Sequence, residues 1–163
     1  MRTTLAVGAV SLALVAAATA QMGAKPAHVI VGAAELKWGP APPVFEKEAQ
    51  MAVVSGDPTK PGPFVVRLKA PAGFKVMPHF HPTDENITVI SGTFALGMGD
   101  KFDAAALKEM SPGGFALMPA EMHHFAMAKT AVVAQVHGTG PFALTYVNPA
   151  DDPSKRVAPV PAK

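Results

Sequence analysis

Proline and glycine punctuate this chain so widely that its apolar runs stay short. There are 17 prolines and 14 glycines, scattered rather than periodic. Between them lie β-prone runs: HVIV at 28–31, MAVVSG at 51–56, FVVRLKA at 64–70, ENITVISG at 85–92, TFALGMG at 93–99, GFALMP at 114–119, HFAMA at 124–128, AVVAQVHG at 131–138 and FALTYV at 142–147. Several alternate apolar and polar residues at period two, the pattern of a half-buried strand. Short strands at near-regular spacing predict an all-β sandwich or barrel. One stretch departs from this. Asp103 is placed to cap a short helix over AAALKEM, which Ser111-Pro112-Gly113 would end. No internal repeat is visible, so any site occurs once.

The first residues read as a leader. Arg2 supplies a positive start, Leu5 to Ala16 an apolar stretch, and Ala18-Thr19-Ala20 a small-residue cleavage pattern. A signal peptide is therefore expected over 1–20, with a mature chain from near Gln21 exported to the periplasm or secreted. The apolar run is short for a spanning helix, so no stable membrane anchor is expected. There is no cysteine, which excludes disulfides, thiolate metal sites and cysteine nucleophiles. The formal charge is +2 and the only Lys-Arg pair is Lys155-Arg156, so nucleic acid binding has no electrostatic footprint. No Ser-His-Asp set and no glycine-rich phosphate loop stands out.

The chemistry concentrates in GFKVMPHFHPTDENITVISG, from Gly73 to Gly92. Residues two apart in a strand project from one face, about 6.6 Å apart. His79 and His81 therefore point together, and two converging imidazoles are what a divalent metal needs. Pro82 and Asp84 suit a turn. Glu85 then heads a strand whose same face carries Ile87 and Val89. A carboxylate on an apolar face is costly to bury unless it is paired or bound to a cation.

The spacing Gly73, five residues, His79-x-His81, three residues, Glu85, six residues, Gly92 resembles the first conserved motif of the cupin superfamily. The resemblance implies a double-stranded β-helix, or jelly-roll barrel, with one mononuclear metal in its mouth and His79, His81 and Glu85 as three ligands. A second motif would supply the fourth. Gly113, five residues, Pro119 and then His124 match its spacing, which makes His124 that ligand. Two positions depart from the pattern: Glu121 stands where a turn glycine is usual, and Ala128 where an asparagine is. Adjacent strand residues face opposite ways, so of His123 and His124 only one can point inward. The proline spacing favours His124 and leaves His123 to gate the mouth or face solvent. The barrel core implied by the resemblance spans 64–147. Before it lie N-terminal strands and a connecting segment at 21–63, and after it a tail at 148–163 expected to be extended or disordered.

Three histidines and a carboxylate leave up to two positions open on an octahedral ion. The expected cofactor is one divalent transition metal: Fe, Mn, Ni, Cu or Zn. By the same resemblance Glu85 is expected either to stay a ligand or to detach and serve as the catalytic base. The expected activity is a metal-dependent, dioxygenase-like reaction on a small organic molecule. A non-enzymatic metal or small-ligand binding protein, and a metal-dependent lyase or isomerase, would use the same residues. His137 and Gln135 share a strand face; they either line the cavity as substrate contacts or lie outside it. Met77, Met118, Met122 and Met127 are candidate Cu(I) ligands or core filler. Barrel edges and Trp38 upstream predict a homodimer.

Overall fold

The computed structural model describes residues 28–156. The leader at 1–20 and the last residues of the tail lie outside that span. Eleven strands follow in chain order: β1 (Gly39–Pro40), β2 (Gln50–Ser55), β3 (Gly62–Ala70), β4 (Lys75–Phe80), β5 (Glu85–Ser91), β6 (Phe94–Met98), β7 (Lys108–Met110), β8 (Phe115–Met118), β9 (His124–Ala128), β10 (Val132–Gly140) and β11 (Thr145–Tyr146). They form two antiparallel sheets, one ordered β1-β2-β3-β10-β5-β8 and the other β11-β4-β9-β6-β7. The two sheets are the walls of an all-β jelly roll.

Period-two alternation decides which side chains meet between the sheets. On β3, Phe64, Val66 and Ala70 are buried while Val65, Arg67 and Lys69 face outward. On β5, Glu85, Ile87 and Val89 are buried and alternate with more exposed neighbours. Val76, Phe94, Leu96, Ala126 and Ala128 answer them from the second sheet. With no disulfide, this apolar contact carries the fold.

Turn chemistry fixes the ends of the site-bearing hairpin. Gly92 takes φ 77°, and a Cβ there would collide with the carbonyl of Ala131. Both demands select glycine at that position.

Four expectations need correction. The helix over AAALKEM is a single 3₁₀ turn, Ala104–Ala106, with Asp103 accepting the Ala105 N–H at 2.9 Å. Lys108–Met110 forms β7 instead and pairs with β6, Met110 opposite Phe94. A two-turn helix gains little against its nucleation cost, whereas the open edge of β6 offers a ladder. HVIV is not a strand, and Val29, Ile30 and Val31 are exposed; β apolarity needs an edge to pair with. Of FALTYV only Thr145–Tyr146 pairs, against β4. Up to Arg156 the tail is not extended: it folds into two 3₁₀ turns capped by the Asn148 and Asp152 side chains.

Candidate metal centre

Proline in β4 sets the site. Val76 pairs with Ala126 and His79 with His124, so β4 spends one more residue than β9 over this interval. The extra residue falls at Met77-Pro78, where proline has no N–H for the ladder. The bulge shifts the phase of the strand. Val76 and His79, three apart, both line the interior cavity, and His81 follows. Without the bulge, strict alternation from Val76 would turn both histidines outward.

His79, His81 and His124 are all nearly fully buried, and one ligand atom from each lies within 4.8 Å of the others. His79 and His124 sit directly opposite each other, ring centroids 4.2 Å apart. Glu85 Oε2 closes the group, 3.4 Å from His81 Nε2 and 3.2 Å from His124 Nε2. Together, these three imidazoles could hold a metal ion.

Backbone carbonyls choose the tautomers. His79 Nδ1 lies 2.7 Å from the Met77 carbonyl, His81 Nδ1 2.7 Å from that of Ala143, and His124 Nδ1 2.9 Å from that of Met122. A carbonyl can only accept, so each Nδ1 carries its proton. Each Nε2 is then a bare lone pair when the ring is neutral. His81 Nε2, His124 Nε2 and Glu85 Oε2 are buried and have no hydrogen-bond partner. Lone pairs facing an anionic oxygen without a proton among them repel, and a cation at their centre resolves the conflict. The donor set thus fits a divalent transition ion.

The ionisation states agree with that role. Burial, reinforced by His124 and His81, pushes His79 down to about 3, so its ring is neutral across the physiological range. Burial works against a charged Glu85, but when the His124 and His81 rings carry a proton on Nε2 in acid, their hydrogen bonds and charge outweigh it and hold the carboxyl below its ordinary value. With neutral rings that support is gone, and a bound cation would take its place.

The adjacent histidines divide as strand geometry requires. His124 points in. His123 faces outward, its Nδ1 2.6 Å from Asp100 and its ring stacked on Phe80 at 5.0 Å. Gln135 and His137 also fall outside the cavity: Ala134 and Val136 line it, and their alternate neighbours face the other way. Gln135 instead accepts from Arg67 Nε at 3.2 Å. Among the methionines, Met77 and Met118 pack in the core and Met122 is exposed.

Glu121 shows how the second motif manages without glycine. It adopts φ 62°, a region costing a non-glycine residue about 1–2 kcal/mol. The turn is held from both sides: Glu121 N–H donates to the His81 carbonyl at 2.8 Å and Met122 N–H to that of Pro119 at 3.1 Å. Asp84 Oδ1 accepts from Ala120 N–H at 2.8 Å. These bonds clamp the loop before Glu85 to the loop before His124.

Three parts of the site were not foreseen. The β4 bulge was readable, since Pro78 sits inside an apparent strand. Asp84 was legible only as a turn former. Phe142, stacked on His81 at 4.3 Å and 18°, and the Ala143 carbonyl lie too far along the chain for any local pattern to place them.

The cavity of about 380 Å³ reaches from this cluster into the barrel. The Pro42–Phe45 segment covers part of it, tied down where Tyr146 Oη donates to the Val44 carbonyl at 2.7 Å. Burial, with the nearby Asp152 and Glu46 charges, raises Tyr146 to about 12, so it stays a donor.

No family model matches the chain, and no curated protein does. Solved structures do. The polyketide cyclase RemF from Streptomyces resistomycificus superposes with a TM-score of 0.65 at 17% identity, covering 79% of this chain and 92% of that one. A proposed acetylacetone dioxygenase from Methylibium petroleiphilum PM1 gives 0.60 at 20% identity, covering 80% and 88%. An RmlC-like cupin from Shewanella frigidimarina NCIMB 400 gives 0.54 at 14% identity, covering 70% and 91%. At these identities the likeness establishes architecture. The chain has the fold of the cupin superfamily.

Proposed function

We propose that this chain is a mononuclear metal-dependent enzyme, oxygenase-like, acting on a small organic molecule. One observation carries the reading: three buried imidazoles, each with Nδ1 tied to a carbonyl, bring ligand atoms within 4.8 Å of one another, and the Nε2 atoms of His81 and His124 lie 3.4 and 3.2 Å from the Glu85 carboxylate. His79, His81, Glu85 and His124 would hold the ion. Bound there, a divalent transition metal would supply Lewis acidity and, if redox-active, a route for electrons to O₂. The chain's own residues line the cavity with apolar walls, hold the imidazoles in one tautomer, and keep Glu85 as the one anionic side chain among the described lining residues. In that position Glu85 is a ligand and the candidate base for a substrate proton.

A cyclase among the structural relatives supports a second reading, a non-redox lyase or isomerase that uses the same four residues. The leader pattern ending at Ala20 supports placement outside the cytoplasm. Exposed Ile90, Phe115 and Leu117, the last two on the edge strand β8, support a homodimer. Sedimentation would report its mass.

The test is elemental analysis of the purified protein beside His81→Ala and Glu85→Ala, followed by O₂ uptake over a panel of phenols and diketones. The reading expects about one transition ion per wild-type chain, little in the variants, and O₂ consumption with at least one substrate. Wild type without metal would end it. Full metal loading without O₂ uptake would move it to the non-redox form.

A further inference from the structure

The cavity is chemically lopsided. At one end stand the three imidazoles and Glu85. Elsewhere its described lining is aliphatic or aromatic, with Phe64, Val66, Leu68, Leu96 and Val136 among the walls. Thr59 is the one further polar side chain among the described lining residues, and its hydroxyl already donates to Asp57 at 2.7 Å. No lysine, arginine, asparagine or glutamine of the described residues lines it.

From this we infer the ligand class: an uncharged, largely apolar compound carrying one ionisable oxygen donor. The inference deepens the metal-centre reading and rests on it. Two arguments converge. First, a carboxylate, phosphate or ammonium on the tail would lose its water to a wall that offers no partner. Sugars fail for the same reason, since each buried hydroxyl needs a hydrogen bond. Second, the charges balance. Neutral imidazoles and one carboxylate cancel one of the two charges of a divalent ion. A head group that binds as a monoanion, its proton released to solvent, cancels the other; a dianion would leave excess charge in an apolar chamber. Apolar tails gain instead, by transfer from water to the wall.

A matched set of hydroxamic acids separates head from tail. Acetohydroxamic acid is the head alone, hexanohydroxamic acid adds an alkyl tail, and adipic acid monohydroxamate ends the same length of tail in a carboxylate. The zinc-loaded wild-type chain is titrated with each by calorimetry. The expected result is a gain in affinity of tenfold or more from the two-carbon to the six-carbon alkyl compound. That gain should vanish with the terminal carboxylate. Equal or tighter binding of the adipic compound overturns this inference and leaves the metal centre standing. Zinc bound at one per chain with no hydroxamate affinity overturns it also. Failure to bind zinc at all overturns the metal-centre reading, and the ligand class with it.

Discussion

The two halves of the site reach the same result by different backbone routes. The stretch Gly73–Gly92 uses glycine at both of its left-handed positions, φ 83° and 77°. The stretch Gly113–Ala128 places Glu121 at φ 62° in its turn. Yet each half delivers a histidine locked by the carbonyl two residues before it, His79 by Met77 and His124 by Met122. The aim of each imidazole is set by that short local bond. The turn residue sets only how much strain the approach stores. His81 is the exception: its lock comes from Ala143 and a stacked Phe142, far along the chain. The site therefore combines two locally held imidazoles with one whose hold exists only in the folded barrel.

Removing a ligand should break both halves at once. Glu85→Ala or His124→Ala should lower metal affinity by roughly a hundredfold or more, beyond what loss of an outer partner costs. Competition against a chelator of known affinity reads this. His123→Ala, one residue away but outside, should leave metal affinity unchanged. A fall comparable to that of His124→Ala would reverse their assignment.

Cutting the clamp should have a smaller effect. Asp84→Ala frees the Ala120 N–H, so metal affinity should fall by around tenfold and stability by about 1 kcal/mol. Denaturant titration and metal competition on the same variant separate the two. Unchanged metal affinity would mean that the loops hold register without Asp84.

Acid should weaken the metal-free chain in a direction fixed by the buried groups. His79 lies near 3 in the folded chain against an ordinary 6.5. Between those values the unfolded chain binds a proton that the folded one does not, so stability falls as pH drops. Glu85, also depressed, acts with the same sign below its ordinary 4.5. Both contributions are fully present near neutrality. Thermal melts of the metal-free protein should therefore decline from about pH 6.5 downward; a rise over that interval would contradict the buried neutral ring.

The smallest effect tests the backbone contrast. Glu121→Gly relieves the left-handed strain but loosens the unfolded chain, so stability should rise by no more than about 1 kcal/mol. Metal affinity should not move. A clear loss of metal would show that the Glu121 side chain contributes more than a turn.

Much of this site was legible because its parts are local. The His-x-His spacing puts His79 and His81 on one strand face, and the resemblance to the cupin motifs adds Glu85 and, through the spacing from Pro119, His124. What stayed hidden depends on packing across the barrel. Whether Gln135 and His137 face in or out depends on which side of β10 meets the second sheet, and Val136 and Ala134 took that side. The expected helix after Asp103 failed because the open edge of β6 captured Lys108–Met110. The hold on His81 comes from the Ala143 carbonyl, 62 positions away, which no local pattern could reveal.

X-ray absorption at the metal edge tests the central claim most directly. The wild-type protein loaded with zinc should show nitrogen and oxygen ligands, with the outer scattering of three imidazoles. His124→Ala, loaded at high zinc, should show two. A first shell containing sulfur, or an imidazole count that the substitution leaves unchanged, would contradict the site described by His79, His81, Glu85 and His124.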